Sequence, residues 1–191
     1  MIGRLDVDEE LSLADVAHEV ELHVETGTAD RVSMAVGSRV KLREGLRYYR
    51  LDGRPSLGVD PRCRRLSSAN LNEVSELFES YYPDAVFSTW MLDLPFIGLF
   101  EEDALIACGG VIGLAAGIVN IGNFLTIPHA RGRGLARAVA ASLTHSLVDV
   151  GISISTLGIT DGNLAACRAY EAAGFRYFDR RVQLNLTPIA P

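Results

Sequence analysis

FLTIPHARGRGLA, residues 124–136, joins an apolar strand pattern to the clearest helical pattern of the chain. Gly132 and Gly134 leave backbone N–H groups uncovered at the start of that helix, where the helix dipole adds about half a positive charge. Formal charge suited to phosphate oxygens comes from Arg131, Arg133 and Arg137. We therefore predict an anion site for a pyrophosphate. The alternative is a glycine-rich turn that carries solvent-exposed arginines.

Two familiar phosphate-binding patterns do not fit this stretch. A dinucleotide-binding turn needs a third glycine or an alanine at position 137, where this chain has Arg137. A P-loop needs a lysine directly after a glycine, whereas the single lysine, Lys41, follows Val40. The anion site is therefore of another kind.

Strand and helix patterns alternate after residue 60, which predicts an α+β fold with a mixed α/β sheet. The predicted strands cover 62–66, 95–100, 104–112, 118–127 and 152–159, and lie near 175–178 and 181–186, with a turn at 113–117. The predicted helices cover 69–81, 84–92, 133–149 and 163–173, and Ser67 and Ser68 are candidates to cap the first of them.

The first sixty residues follow a different pattern. Apolar residues at helical spacing predict an acidic amphipathic helix over 11–24, and 32–40 and 46–51 are candidate strands. Residues 52–61, DGRPSLGVDP, hold two glycines and two prolines and indicate a linker. We therefore predict an acidic extension or small subdomain over 1–60 and a main domain over 61–191.

Two motifs of the main domain together resemble those of the GNAT superfamily of acyl-CoA-dependent N-acetyltransferases. RGRGLA at 131–136 is similar to the family's Arg/Gln-x-x-Gly-x-Gly/Ala motif, and a strand pattern precedes it as in the family. NLAACRAYEAAGF at 163–175 is similar to the second signature, an Asn followed by Ala, Arg, Tyr, Glu and a closing Gly-Phe. Order, spacing and the intervening elements agree, and the resemblance covers residues 62–187.

This resemblance implies the GNAT acyl-CoA N-acyltransferase fold: a central mixed, mostly antiparallel sheet with two splayed parallel strands and flanking helices. Acyl-CoA would enter the gap between strands 118–127 and 152–159. Backbone groups around Leu125 and Ile127 of the first strand would pair with the pantetheine amides, as an added strand does. The backbone N–H groups of 132–136 would hold the diphosphate. The cofactor-binding residues so implied are Leu125, Ile127, Arg131, Gly132, Arg133, Gly134, Leu135, Ala136 and Asn163.

Tyr170 occupies the position where many relatives carry a tyrosine general acid. Acetyl transfer needs a proton for the leaving thiolate, preplaced donors for the developing oxyanion and a neutral amine. The resemblance assigns the first task to Tyr170, and backbone N–H groups near Leu125 could supply the second. A tyrosine packed under the sulfur arm of the cofactor is the alternative.

A general base is not evident in the sequence. Many relatives place a carboxylate on the strand before the phosphate turn, but 117–127 has none, and Asn120, Asn123 and Thr126 can only orient a water. His129 in the turn and the charged pair Glu101-Glu102 are weak candidates. A water relay, or binding of an amine that is already neutral, therefore stays open. His18-Glu19…His23 resembles a zinc-protease helix, but its second histidine comes one place late, and no metal site is expected.

Charge and cysteine content exclude several classes of protein. With 18 basic and 24 acidic residues the formal net charge is −6, which disfavours nucleic-acid binding. The acidic excess lies within residues 1–30, and no acidic residue occurs from Ala104 to Val148. The uncharged stretch 104–119 is interrupted by glycines and fits two strands better than a membrane helix. Three scattered cysteines and an acidic N-terminus predict a reduced, cytoplasmic protein.

These observations lead to one function and two rivals. The predicted function is an N-acetyltransferase that uses acetyl-CoA as cosubstrate, without a metal, and a small-molecule or peptide amine as acceptor. The acceptor wall is expected within 80–96, where Tyr81, Tyr82 and Trp90 are equally candidates for the core. The rivals are a non-catalytic acyl-CoA-binding or sensing module and a phosphate-ligand domain without thioester chemistry. Residues 1–60 could cover the acceptor side, mediate homodimerisation or be a remnant domain.

Overall fold

The computed structural model describes residues 20–83, 85 and 87–187, which form an open, mostly antiparallel sheet flanked by helices. The strands are β1 (Val20–Val24), β2 (Val40–Asp52), β3 (Cys63–Arg65), β4 (Phe96–Glu101), β5 (Ala104–Ala115), β6 (Ile118–Thr126), β7 (Ile154–Thr160) and β8 (Arg176–Leu186). The α-helices are α1 (Thr26–Val36), α2 (Leu71–Tyr81), α3 (Leu135–Asp149) and α4 (Leu164–Ala172). The strands are hydrogen-bonded in the order β1-β8-β2-β7-β6-β5-β4-β3. The prediction of an α+β fold with a mixed, mostly antiparallel sheet is confirmed.

The chain divides into two compact units, and the larger consists of residues 49–157 and 164–177. Its core lies between the sheet and α3, which packs against β4, β5 and β6. Helix α3 buries Val139, Ala140, Leu143 and Leu147 completely because these residues recur on one face. Helix α2 begins after a turn capped by Ser67, as the serines predicted: the Ala69 N–H donates to Ser67 Oγ, and the Ser67 N–H donates to Asn70 Oδ1.

The smaller unit comprises, in the described chain, residues 20–48, 158–163 and 178–187. Strand β1 pairs antiparallel with β8, from Val20 opposite Leu186 to Val24 opposite Val182. Helix α1 covers an apolar cluster whose buried members are Ala29, Val182, Leu184 and Leu186. The predicted boundary near residue 60 stays a prediction.

The N-terminal element predictions were wrong in two places. Residues 20–24 form β1 rather than the end of a helix, and 11–19 lie outside the described residues. Val32, Met34 and Val36 alternate as in a strand, but they lie on α1, where Val32 and Val36 pack inward and Met34 is 85% exposed. A short amphipathic segment fits both periods, and packing decides between them.

Three further predictions change in detail. The helix predicted at 84–92 is a 3₁₀ turn at Thr89–Asp93; the prolines at 83 and 95 hold Tyr82 and Leu94 outside helical geometry, and positions 84 and 86 lie outside the described residues. The turn predicted at 113–117 is only Ala116-Gly117, both with positive φ, so β5 runs on to Ala115. The two last predicted strands are one strand, β8.

Candidate functional site

Strands β6 and β7 are the parallel pair, and their pairing covers only their first residues. Ile118, Val119 and Asn120 pair with Ile154, Ser155 and Thr156 in turn. Strand β6 then continues to Thr126 and β7 to Thr160. The end of β6 therefore has an edge that is not paired with β7, which is what an extended ligand chain needs in order to pair as an added strand.

A β-bulge lies in β6 directly before this edge. Gly110 pairs with Gly122, but Cys108 pairs with Leu125, so β6 carries one extra residue at Asn123 and Phe124. Asn123 has a φ of 53°, a left-handed conformation that few residues other than glycine adopt. Its side-chain amide donates to Met91 Sδ at 3.3 Å. The bulge changes which backbone groups of the last residues of β6 face outward.

The register shows where the backbone of the two predicted pantetheine-binding residues points. The Ile127 N–H donates to Ile106 O at 3.0 Å, and Leu125 stands opposite Cys108 two residues earlier. Since hydrogen-bonded pairs alternate along an antiparallel ladder, Leu125 also directs its N–H and C=O toward β5. The backbone of Thr126 points the other way, and its carbonyl accepts from Arg131 Nε at 3.0 Å. The bulge has no sequence signal, so the sequence could not show which way the Thr126 backbone points.

The turn that follows has the geometry of an anion cradle. Gly132 and Gly134 have φ values of 78° and 76°, and Gly134 caps α3 from the left-handed region. A Cβ at Gly132 would meet nothing within 4 Å, so this backbone is open to solvent. The first N–H groups of α3 have no acceptor within the helix and lie beside these glycines. Leu135 itself is buried, and Ala136 is half-buried.

The arginines of the turn have different partners. Arg133 donates to Glu101 Oε2 at 2.9 Å, and Arg62 donates to Oε1 of the same carboxylate at 2.7 Å. The Arg133 and Arg62 guanidiniums hold the pKa of Glu101 below its usual range. Arg137 is half-buried, and its Nε is buried without a hydrogen-bond partner. One arginine is therefore neutralised by a carboxylate, and another presents an unsatisfied donor.

Tyr170 is placed by the end of α4. The Gly174 N–H donates to Glu171 O and the Phe175 N–H donates to Tyr170 O, both at 3.0 Å, which is a Schellman motif. Gly174 supplies the required positive φ of 101°. The motif turns Phe175 back onto Tyr170, with ring centroids 6.1 Å apart. The closing Gly-Phe of the second signature thus fixes the tyrosine.

The Tyr170 ring is buried and faces the bulge. Its centroid lies 5.2 Å from that of Phe124, whose ring fills the space over Gly109. Burial, with a smaller contribution from the neighbouring Tyr82 phenol, raises the pKa of Tyr170. The hydroxyl therefore keeps its proton at neutral pH.

Tyr49 holds α4 in place and was missed by sequence reasoning. Its hydroxyl donates to Glu171 Oε1 at 3.1 Å, and its ring is 1% exposed. Burial raises the pKa of Tyr49, and hydrogen bonds with Cys167 and Glu171 raise it further. Glu171 therefore has a structural partner that comes from a distant strand, so no local pattern could have shown it. Asn163 lies in the smaller unit, where its N–H donates to Thr160 O at 2.9 Å.

A cavity of about 510 Å³ opens beside α2 in the larger unit. Its lining comes from the last turns of α2 and the loop that follows: Ser75, Phe78, Glu79, Tyr82, Pro83, Ala85, Phe87, Ser88 and Thr89. These residues overlap the acceptor wall predicted within 80–96. Of the three aromatic residues named there, Tyr82 lies in the lining and Tyr81 and Trp90 do not. Tyr81, Tyr82 and Trp90 are 43%, 46% and 49% exposed and so are not core residues.

The side chains of His129, Glu101 and His145 have different surroundings. His129 is exposed in the turn, and Glu101 is bound by two arginines, which makes it a weaker base. His145 accepts from Arg54 at Nδ1 and contacts Leu57 O through Nε2, at 2.9 Å, so it fastens the 53–62 loop. Among the described residues no group of His, Cys, Asp or Glu side chains could hold a metal ion. No helix in the described part of the chain has the length and apolarity required to traverse a bilayer.

Known proteins share this architecture. The model of the family "FR47-like protein" matches residues 96–184. A structure from Novosphingobium aromaticivorans, described as that of a candidate GNAT-family acetyltransferase, superposes with a TM-score of 0.72 at 24% identity, covering 80% of this chain and 68% of the other. The chain has the GNAT fold.

Two other GNAT-fold structures extend the comparison. A GCN5-related N-acetyltransferase from Sphaerobacter thermophilus has a TM-score of 0.66 at 16% identity and covers 91% of this chain. This chain spans only 62% of the length of that protein. The ribosomal-protein-S18-alanine N-acetyltransferase of Escherichia coli has a TM-score of 0.53 at 16% identity, over 68% of this chain and 95% of its own length. Comparison with curated proteins finds no match.

Proposed function

We propose that this chain transfers an acetyl group from acetyl-CoA to a primary amine, by direct attack of the amine while both substrates are bound. The observation that carries the proposal is that three features lie together. An unpaired strand edge ends at a backbone turn with two left-handed glycines, the turn opens a helix N-terminus, and a buried tyrosine lies beside the bulge of the same strand.

The residues present fit acetyl-CoA. Thr126 directs its backbone N–H away from β5, where a pantetheine carbonyl could accept from it, and its Oγ1 is buried without a hydrogen-bond partner. The N–H groups from Gly132 to Ala136 would hold the diphosphate, assisted by Arg131 and by the unsatisfied Nε of Arg137. We propose Thr126 in place of Leu125 and Ile127 for the backbone contact, because the latter two direct these groups toward β5.

Bound acetyl-CoA supplies the activated acetyl group as a thioester. Tyr170 would donate its hydroxyl hydrogen toward the sulfur that leaves, which stabilises negative charge there. Because burial raises the pKa of Tyr170, the phenol is a hydrogen-bond donor at every pH at which an enzyme of this kind works.

The experiment is a thermal shift with acetyl-CoA followed by a turnover assay. A ligand at 100 times its Kd stabilises the folded state by about 2.7 kcal/mol, which for a chain of this size raises Tm by about 5–10 °C. The double variant Arg131→Ala, Arg137→Ala is expected to reduce this shift, because these two arginines assist the backbone N–H groups at the diphosphate. Arg50→Ala is the matched control, since the Arg50 guanidinium pairs with Asp52 on its own strand.

The outcomes separate the rivals. No shift with saturating acetyl-CoA contradicts every acyl-CoA-dependent function. A shift without CoA release from any amine in a broad panel favours the sensing module. CoA release that requires an added amine supports the proposed acetyltransferase.

A further inference from the structure

The cavity beside α2 is lined on one side by stacked aromatic rings. Phe78 and Phe87 lie parallel, 4.9 Å between centroids with an interplanar angle of 10°. Phe87 meets the buried Phe96 edge to face at 6.0 Å, and Tyr82 leans over Phe78 at 6.4 Å. Because Phe96 fills the space over Gly110, this aromatic wall is held by the core of the sheet. Such a wall favours a flat apolar group over a flexible chain.

The cavity lining also carries a negative charge. Glu79 lies in the lining and is exposed to solvent. Among the described lining residues Glu79 is the one acid, and there is neither lysine nor arginine. The cavity therefore attracts a cation and offers no counter-charge to a carboxylate.

The loop that lines the cavity continues into a contact with the bulge of β6. Met91, two residues beyond the lining residue Thr89, is hydrogen-bonded to Asn123 of the bulge. The cavity wall is therefore linked to the bulge, where the Phe124 ring packs against Tyr170.

We propose that this cavity binds the amine acceptor, and that the acceptor is a primary ammonium on a flat apolar group without a carboxylate beside the amine. This inference rests on the proposed function. Glu79 pairs with the ammonium, and the wall of Phe78 and Phe87 takes the flat group.

The reaction balances without a further reagent. The bound ammonium first loses a proton to water, and the neutral nitrogen then forms a C–N bond to the acetyl carbon. The C–S bond breaks, and the sulfur leaves as the thiol of CoA after taking one of the two remaining amine protons. One proton is released to solvent for each amide formed.

The test measures kcat/KM with acetyl-CoA for phenethylamine, phenylalanine and pentylamine. We expect phenethylamine to exceed both others by about ten-fold or more, because phenylalanine adds a carboxylate and pentylamine lacks a flat ring. Equal values for phenethylamine and phenylalanine overturn the charge argument. A preference for pentylamine overturns the assignment of the aromatic wall.

The matched variants are Glu79→Gln and Glu76→Gln, which lie on the same helix, only the first in the cavity lining. Glu79→Gln is expected to raise KM for phenethylamine roughly five-fold with kcat and the acetyl-CoA thermal shift unchanged, as for a partly exposed ion pair. Glu76→Gln is expected to change none of these. An unchanged KM in Glu79→Gln overturns the inference. If acetyl-CoA binds and amino acids or peptides are acetylated but phenethylamine is not, this inference fails while the proposed function stands. If no amine is acetylated, both fail.

Discussion

At the scale of single residues, Tyr170 shows how burial changes a chemical role. The resemblance assigned this residue to proton donation, and the structure buries it between Phe124 and Phe175. Burial raises the pKa of Tyr170, so the phenol does not change protonation state near neutral pH. Its effect on the reaction should therefore come from a standing hydrogen bond.

Tyr170→Phe is accordingly expected to lower kcat by about 10- to 100-fold, toward the lower end of general acid effects, with KM for acetyl-CoA nearly unchanged. The pH profile of kcat between pH 6 and 9 should keep its shape, since the lost group does not titrate there. Tyr177→Phe is the control, because Tyr177 is 55% exposed. A limb of the profile that disappears in Tyr170→Phe would contradict this assignment, and an unchanged kcat would leave Tyr170 as packing.

Gly174 is a second residue with a definite physical task. Its φ of 101° closes the Schellman motif that sets Tyr170 against Phe175. Gly174→Ala is expected to cost about 1–2 kcal/mol of the free energy of unfolding, because an L-residue is strained at positive φ. Gly58→Ala should stay within about 0.5 kcal/mol, since a Cβ at Gly58 meets nothing within 4 Å and its φ is not positive. Urea unfolding measures both, and equal stabilities would show that the turn is not under this constraint.

At the scale of elements, long patterns with clear end signals were predicted correctly, whereas two short N-terminal segments were not. The segment from β6 through α3 combines a strand, a turn with left-handed glycines and a helix of fifteen residues, and all three were predicted from the sequence. The segments 20–24 and 32–36 fit a helix and a strand about equally well. Only their packing against β8 and the apolar cluster determines which one forms.

The candidate site was predictable wherever its residues are close in sequence. The phosphate turn and Tyr170 lie within two compact motifs, and the structure places both as local geometry requires. The bulge at Asn123 changes the register by one residue and so transfers the outward backbone groups to Thr126. Tyr49 and Glu79 come from distant segments, and nothing in their own surroundings in the sequence distinguishes them.

At the scale of the whole molecule, the charge distribution is more informative than the net charge. The chain has no acidic residue from Ala104 to Val148, and the proposed diphosphate cradle lies in this window. Folding nevertheless returns one carboxylate to it, because Glu101, just before the window, binds Arg133. The cradle thus depends chiefly on backbone N–H groups, Arg131 and Arg137 for its attraction to an anion.

The distribution of buried weak acids predicts how stability depends on pH. Burial raises the pKa of Cys108 from 9.0 to about 12 and that of Tyr48 from 10.0 to about 12, and it also raises those of Tyr49 and Tyr170. In the unfolded chain these groups lose their protons at ordinary pKa values, so alkali favours unfolding. Their contribution is complete below about pH 8 and declines as the pH rises from about 9 toward 12.

The lone lysine makes this decline easy to assign, since the other seventeen basic residues are arginines that stay charged. Each fully responding group contributes about 1.4 kcal/mol per pH unit, and we expect a loss of about 2 kcal/mol in the free energy of unfolding between pH 8 and 10. Urea unfolding at these two values measures it. Cys108→Ala should remove about half of the loss, because the Cys108 thiol is the first of these groups to ionise in the unfolded chain. A free energy of unfolding that is the same at pH 8 and pH 10 would contradict the burial of these groups.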